Sequence, residues 1–169
     1  MKQRVAILGD GGWGTALGLH LVGQGHEVRM WGPFPDYLET VRCARENTAY
    51  LPGVPLPKAL AWTADRDEAV SGADVALLAV PSKFYRPVLE SFAGLLPPAC
   101  LLLSVSKGLD PATHRRLSQT AADVLGHAPV AVLSGPSHAE EVARGIPTAV
   151  VIACEDAARA DSLQALVTG

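Results

Sequence analysis

The chain has 169 residues, with 14 Lys+Arg against 17 Asp+Glu and a formal net charge of -3. That length admits one domain with a substantial core, and that charge balance gives no electrostatic footprint for nucleic acid. Hydrophobic residues at 49% and charged residues at 18% exclude a disordered chain, and no apolar run is long enough to insert into a membrane.

Arg4-Val-Ala-Ile-Leu8 is a short, branched apolar run, the pattern of a strand buried on both faces. It leads into Gly9-Asp-Gly-Gly-Trp-Gly14, spaced Gly9-x-Gly11-x-x-Gly14 with Gly12 as an additional glycine. Glycine gives up the most conformational freedom on folding, so this density signals a tight turn or a close approach to the backbone. Thr15 to Gln24 predicts a helix stopped by Gly25, and Glu27 to Trp31 predicts a second strand halted by Gly32-Pro33. Strand, glycine loop, helix and strand make a βαβ unit, with the glycines at its first turn.

Further strand-like runs occupy Val75–Val80, Leu101–Val105, Val130–Ser134 and Thr148–Ala153. Helical stretches are expected at 35–46, 83–94, 112–125 and 138–144, and Glu155–Val167 closes the chain as a helix. The proline-rich segment Tyr50–Pro57 reads as an ordered loop. This alternation predicts an α/β fold with a doubly wound, mostly parallel sheet and helices on both faces. Residues 1–169 are read as a single dinucleotide-binding domain. Met1-Lys-Gln-Arg4 runs straight into the first strand, and Cys43, Cys100 and Cys154 are odd in number and widely spaced. Both features favour a cytoplasmic, reducing setting.

In open α/β sheets ligands bind beyond the carboxyl ends of the strands. Three polar clusters fall there: Gly9–Gly14, Ser104-Val-Ser-Lys-Gly108 and Ser134-Gly-Pro-Ser-His-Ala139. In the first, Gly9 permits the turn, Gly11 lets a pyrophosphate approach, and Gly14 allows close helix–strand packing, while the helix N-terminus offers N–H groups to the phosphates. A bare glycine-rich turn would share this spacing, and the βαβ context favours the dinucleotide reading. Asp10 fits less well, because a carboxylate there repels pyrophosphate unless it points away. The second strand ends in Met30-Trp-Gly-Pro-Phe-Pro-Asp36, with neither an acid at its tip for a ribose hydroxyl nor an arginine for a 2′-phosphate. Asp36 is read as a helix N-cap, and the choice between NAD and NADP stays open.

Lys107 is either a solvated loop lysine or an ammonium at the mouth of the site, holding a phosphate or polarising a carbonyl. Ser137 and His138 are either a hydroxyl donor and a general acid–base or simply the start of a helix. His20, His26, His114 and His127 lack ligand-like spacing, so no metal is expected.

Taken together, the ordered segments Gly9–Ala16, Asn47-Thr-Ala-Tyr-Leu-Pro-Gly53, Ala79-Val-Pro-Ser82, Ser106-Lys-Gly-Leu109 and Gly135–Ala149 resemble bacterial NAD(P)-dependent glycerol-3-phosphate dehydrogenase. The resemblance covers nearly the whole chain. It implies a Rossmann-like N-terminal domain, NAD or NADP as cofactor, and reversible reduction of dihydroxyacetone phosphate to sn-glycerol 3-phosphate for phospholipid synthesis. It implies that Gly12 and Trp13 contact the cofactor, that Lys107 lies between cofactor and substrate, and that Ala139 lines the same cleft; with Gly9, Gly11 and Gly14 from the loop spacing, these are the expected cofactor contacts. Lys107, Gly135 and Ser137 would meet a small phosphorylated substrate, with Lys107 as the catalytic residue; a homodimer is compatible with it.

Three positions depart from the family pattern: Asp10 replaces a small residue, Pro33 a basic or imidazole side chain, and His138 a phenylalanine. The family also has a second, helical domain that supplies much of the substrate pocket and a proton-transferring lysine. The sequence ends before such a domain would begin, so the chain is expected to be inactive alone, whether as a fragment or as a truncated relative. Two competing readings are a stand-alone dinucleotide-binding module and a related dehydrogenase acting on another hydroxy acid. The Gly135–Ala149 segment argues against the latter.

Overall fold

The computed structural model describes residues 2–126 and 130–168; His127 and Gly169 lie outside the described residues. Along the chain, β1 (Arg4–Leu8), α1 (Gly12–Gly23) and β2 (Glu27–Trp31) form the first βαβ unit, followed by α2 (Pro35–Ala44). Then come β3 (Glu46–Asn47), β4 (Leu51–Pro55), β5 (Leu60–Thr63) and the short helix α3 (Arg66–Val70). The alternation resumes with β6 (Val75–Leu78), α4 (Ser82–Phe92), β7 (Leu101–Ser104), α5 (Leu117–Leu125) and β8 (Val130–Ser134). It ends with α6 (Ala139–Ala143), β9 (Val151–Ala153) and α7 (Ala157–Val167).

Among the described residues one seven-stranded sheet runs in the order β5-β2-β1-β6-β7-β8-β9. Every pair is parallel except β8 with β9. This is the predicted doubly wound, mostly parallel α/β sheet. The chain winds outward from β1 through β2 to β5, then returns to lay β6 on the other side of β1. That reversal opens a crevice beyond the carboxyl ends of β1 and β6.

Successive side chains of a strand point to opposite faces, so a strand covered on both sides reads as unbroken apolar sequence. In β1, Val5 and Ile7 pack with Leu17 and Leu21 of α1, Leu38 and Val41 of α2, and Leu163 and Leu166 of α7. Ala6 and Leu8 pack on the other face with Val70 of α3, Tyr85, Leu89 and Phe92 of α4, and Leu117 of α5. A smaller cluster of Ala16, Leu51 and Val54, joined by Ala139 and Val142, ties α1 to β4 and α6.

Several expectations are corrected. The segment read as a loop at Tyr50–Pro57 contains β4, which pairs antiparallel with β3 in a two-stranded sheet of its own. Pro52 and Pro55 cannot donate to a ladder, but such a small ribbon tolerates them, and Gly53 turns with φ +75. Neither β5 nor α3 was anticipated; α3 begins where the Asp65 carboxylate accepts the Glu68 N–H at 2.8 Å. The helix expected over 112–125 starts only at Leu117. Before it, Asp110 Oδ1 accepts the Ala112 and Thr113 N–H groups at 2.9 and 3.1 Å, and Leu109 bridges to Arg116. That local side-chain bonding competes with the helical pattern. The strand expected over 148–153 shortens to β9, and α1 begins at Gly12 instead of Thr15. Among the described residues no helix is long and apolar enough to cross a membrane.

Candidate functional site

The crevice is a cleft of about 1000 Å³ whose lining runs from Gly9–Trp13 to Ser106 and Lys107. On the β1 side the wall is backbone. Gly9 leaves β1 at φ +128, donating its N–H to the Trp31 carbonyl at 2.9 Å. A β-carbon on Gly9 would stand 2.5 Å from the Ala79 carbonyl oxygen, and one on Gly14 would stand 2.8 Å from that of Gly9 and 3.3 Å from Ile7 Cγ2. A β-carbon on Gly12 would collide with the Tyr50 carbonyl oxygen. Gly11 differs from all of these: its φ is an ordinary −72, and a β-carbon there would meet nothing within 4 Å. The open side of Gly11 faces the cleft. Gly11 is also the N-cap of α1, which has no side-chain cap and no acid in its first turn. The helix therefore presents uncapped N–H groups and the positive end of its dipole to the cleft.

A residue given no role from sequence holds this wall in place. Asn47 is completely buried. Its Nδ2 donates to the Asp10 carbonyl and to Thr15 Oγ1, both at 2.8 Å. Its Oδ1 accepts from the Tyr37 hydroxyl at 2.5 Å and the Tyr50 N–H at 3.3 Å. One amide thus joins the glycine loop, the first turn of α1, α2 and the segment before β4. Spacing alone carries no signal for this; only the adjacent Asn47–Gly53 segment, noted for its family resemblance, pointed to the region.

The Asp10 side chain turns away from the start of α1. A β-carbon on Gly32, the residue after β2, would stand 2.5 Å from Asp10 Oδ2, so the carboxylate lies over the tip of β2. Burial raises its pKa above the usual carboxylate value, an effect its own backbone N–H partly offsets. Asp36 is not the N-cap expected: Phe34 caps α2, Pro35 takes the first helical position and Asp36 sits within the first turn. It opens onto a separate depression with Glu39, Arg42 and Lys58.

On the far side the wall is made of side chains. Ser106 follows β7, and its hydroxyl lies 2.6 Å from the Val80 carbonyl and 3.0 Å from that of Leu78, which pins the loop to the end of β6. Lys107 Nζ donates to Ser137 Oγ and to the Ser137 carbonyl, both at 3.1 Å, and reaches the Gly135 carbonyl at 3.4 Å. It stands 5.8 Å from the centre of the Trp13 ring, within cation–π range. Among the described residues no carboxylate pairs with Lys107. Its charge is solvated by carbonyls and a hydroxyl and is available to an anion.

Gly9, Gly11, Gly12, Trp13 and Lys107 line one cleft. Gly14 lies behind the loop, and Gly135 and Ser137 back Lys107 instead of lining the cleft. Gly135, at φ +146, would place a β-carbon 2.9 Å from the Ala149 carbonyl oxygen. Ala139 begins α6, its β-carbon 3.8 Å from the position a β-carbon on Gly12 would take. His138 precedes α6 as an exposed N-cap that makes no capping bond. The Trp13 indole N–H is buried without a hydrogen-bond partner. No group of three or more His, Cys, Asp and Glu residues that could hold a metal occurs among the described residues.

An uncapped helix start with one open glycine at one end, and an unpaired ammonium at the other, suit an elongated ligand with phosphates at the first end and a polar reacting group at the second. The family model described as NAD-dependent glycerol-3-phosphate dehydrogenase N-terminus matches residues 4–160. Glycerol-3-phosphate dehydrogenase [NAD(P)+] of Acidobacterium capsulatum is 45% identical over 96% of this chain and 50% of its own length. That of Corynebacterium aurimucosum is 42% identical over 95% of this chain and 49% of its own. The chain thus spans about half the length of the curated relatives it matches. The crystal structure of glycerol-3-phosphate dehydrogenase from Coxiella burnetii superposes with a TM-score of 0.93 at 35% identity, over 99% of this chain and 51% of that one.

Proposed function

The chain belongs to the family of NAD-dependent glycerol-3-phosphate dehydrogenase N-termini, and from that premise we propose that its cleft binds a nicotinamide adenine dinucleotide for the reduction of dihydroxyacetone phosphate to sn-glycerol 3-phosphate. The observation that carries this reading is the contrast within the glycine loop. Gly9, Gly12 and Gly14 are closed off by neighbouring atoms, whereas Gly11 opens onto the cleft at the uncapped start of α1.

When bound, the cofactor supplies the hydride. The chain's residues do the rest of the work assigned here. The first N–H groups of α1 bind pyrophosphate oxygens, and the missing side chain at Gly11 lets them approach. We assign Lys107 the catalytic role: its ammonium stabilises the negative charge that grows on the substrate oxygen. Ser137 and the Gly135 carbonyl orient that ammonium, and the Trp13 ring stands 5.8 Å from it. The general acid is assigned to the half of the longer relatives that this chain does not span.

Titration with NADH, followed by intrinsic tryptophan fluorescence, tests the reading. The account expects saturable binding that Gly11→Val weakens by at least about tenfold, roughly 1.4 kcal/mol, without lowering the melting temperature. Unchanged affinity in a folded Gly11→Val protein would remove the glycine loop from the site.

A further inference from the structure

Rossmann-type sheets distinguish the two dinucleotides at the tip of the second strand, where an acid accepts the ribose hydroxyls or an arginine meets the 2′-phosphate. Here that tip reads Trp31-Gly-Pro-Phe34, with no charged residue. The space over Gly32 is instead filled from the side by Asp10, whose Oδ2 stands 2.5 Å from where a β-carbon on Gly32 would lie. Any side chain at 32 would displace it. The Asp10 backbone is fixed by the bond from Asn47 Nδ2 to its carbonyl at 2.8 Å. The carboxylate, in contrast, has no ion-pair partner among the described residues. The nearby Tyr37 hydroxyl is committed to Asn47 Oδ1. A half-buried acid on the wall of a cleft, met by its own backbone N–H and by no ion-pair partner among the described residues, keeps lone pairs for hydroxyl donors.

We propose that Asp10 takes the place of the acid missing from the tip of β2: its carboxylate accepts the hydroxyls of the adenosine ribose and makes the cleft select NAD(H) over NADP(H). The proposal rests on the reading of this cleft as a dinucleotide site. The 2′-phosphate of NADP(H) would put a second anion against a carboxylate already short of solvent. The opposing candidate is Arg66, the first residue of α3, which is exposed and lines the same cleft. Its reach into solvent gives it a weaker hold than the carboxylate anchored over Gly32.

Dissociation constants for NADH and NADPH, measured by nucleotide fluorescence, separate these outcomes in the wild-type chain and in Asp10→Asn, Asp10→Ser and Arg66→Ala. Asp10→Asn keeps the shape and the Asn47 anchor, so a loss there is one of charge and not of fold; melting curves check this. The expected pattern is tighter NADH than NADPH in the wild type. Both Asp10 variants should lose about tenfold or more for NADH, narrowing the ratio, while Arg66→Ala leaves NADH affinity in place. Tighter NADPH binding that Arg66→Ala abolishes, or a ratio unmoved by either Asp10 variant, overturns the inference and leaves the dinucleotide reading intact. Failure of the folded wild-type chain to bind either nucleotide overturns the reading, and the inference with it.

Discussion

The wall of the cleft formed by Gly9–Gly14 meets a ligand mainly with backbone, the Asp10 carboxylate being turned aside over Gly32, whereas the wall formed by Ser106 and Lys107, with Ser137 behind it, presents a charge. The first is shaped by side chains that are absent: three of its glycines are filled to contact by neighbouring atoms and one is open. The second is shaped by donors and acceptors that hold one ammonium at 3.1 Å from a serine hydroxyl. The two walls should therefore break in different ways. The backbone wall should fail by sterics and lose affinity, and the side-chain wall should fail by electrostatics and lose rate.

Turnover should show the largest effect. Residues 1–169 joined to the remaining half of the Acidobacterium capsulatum relative should oxidise NADH with dihydroxyacetone phosphate, and residues 1–169 alone should not. In the joined protein Lys107→Met should lower kcat by roughly 10²–10³-fold, the scale for losing one stabiliser of a developing oxyanion, while sparing most NADH affinity. Retained turnover would make Lys107 an ordinary solvated loop lysine.

Next in size is the anchor of the backbone wall. Asn47→Ala removes four hydrogen-bonding contacts from a fully buried position. It should cost about 2–3 kcal/mol of stability in a denaturant melt, through the orphaned partners it leaves. It should also weaken NADH binding, because Asp10 and Tyr50 lose their common tie. A loss of affinity as small as that of a surface substitution would show that the glycine loop holds its own shape.

A smaller, more selective effect separates neighbouring glycines. Gly12→Ala pushes a methyl group into the Tyr50 carbonyl and should destabilise by roughly 1–3 kcal/mol. Gly11→Ala, with open space around it, should leave the melt unchanged. Equal melts for the two variants would contradict the assignment of one glycine to packing and the other to the cleft.

The smallest effect concerns the footing of the side-chain wall. Asp110, buried just beyond Lys107, is desolvated, which raises its pKa. The Thr113 and Ala112 N–H groups, the Thr120 hydroxyl and Arg86 outweigh this and hold it below the usual carboxylate value of 3.8. A depressed pKa in the folded state means stability that is present above the ordinary carboxylate range and is lost as pH falls through the folded value. Melting temperatures taken from about pH 5 down to about pH 3 should fall more steeply for the wild type than for Asp110→Asn. Parallel profiles would show that Asp110 carries no such linkage.

The legible part of this molecule lies where sequence encodes backbone demands. The glycine spacing, the buried apolar strands and Gly25 after the first helix located β1, α1 and β2 because each constrains the chain locally. Residues 46–66 were opaque for the opposite reason. Pro52, Gly53 and Pro55 read as a loop, yet β3 and β4 pair around them because Leu51 and Val54 bury against Ala16, a contact no local pattern announces. The Asp65 cap was readable in principle, since Asp65 is followed three residues later by Glu68. At the site, the sequence brought Lys107, Gly135 and Ser137 to one sheet edge, and the structure adds the hydrogen bonds that join them. Asp10 was read as an obstacle to phosphate because sequence cannot show which way a side chain turns. Asn47 carried no chemical signature, because its role depends on four groups brought together by the fold.

The most direct test of the central claim follows backbone amide signals by NMR during NADH titration of residues 1–169. The account predicts that the Gly11, Gly12 and Trp13 amides shift together with saturation and gain protection from exchange, because the uncapped start of α1 receives the pyrophosphate. Saturable NADH binding that leaves those amides unmoved, with shifts gathered instead around Ile146–Ile152 on the opposite side of Trp13, would contradict it.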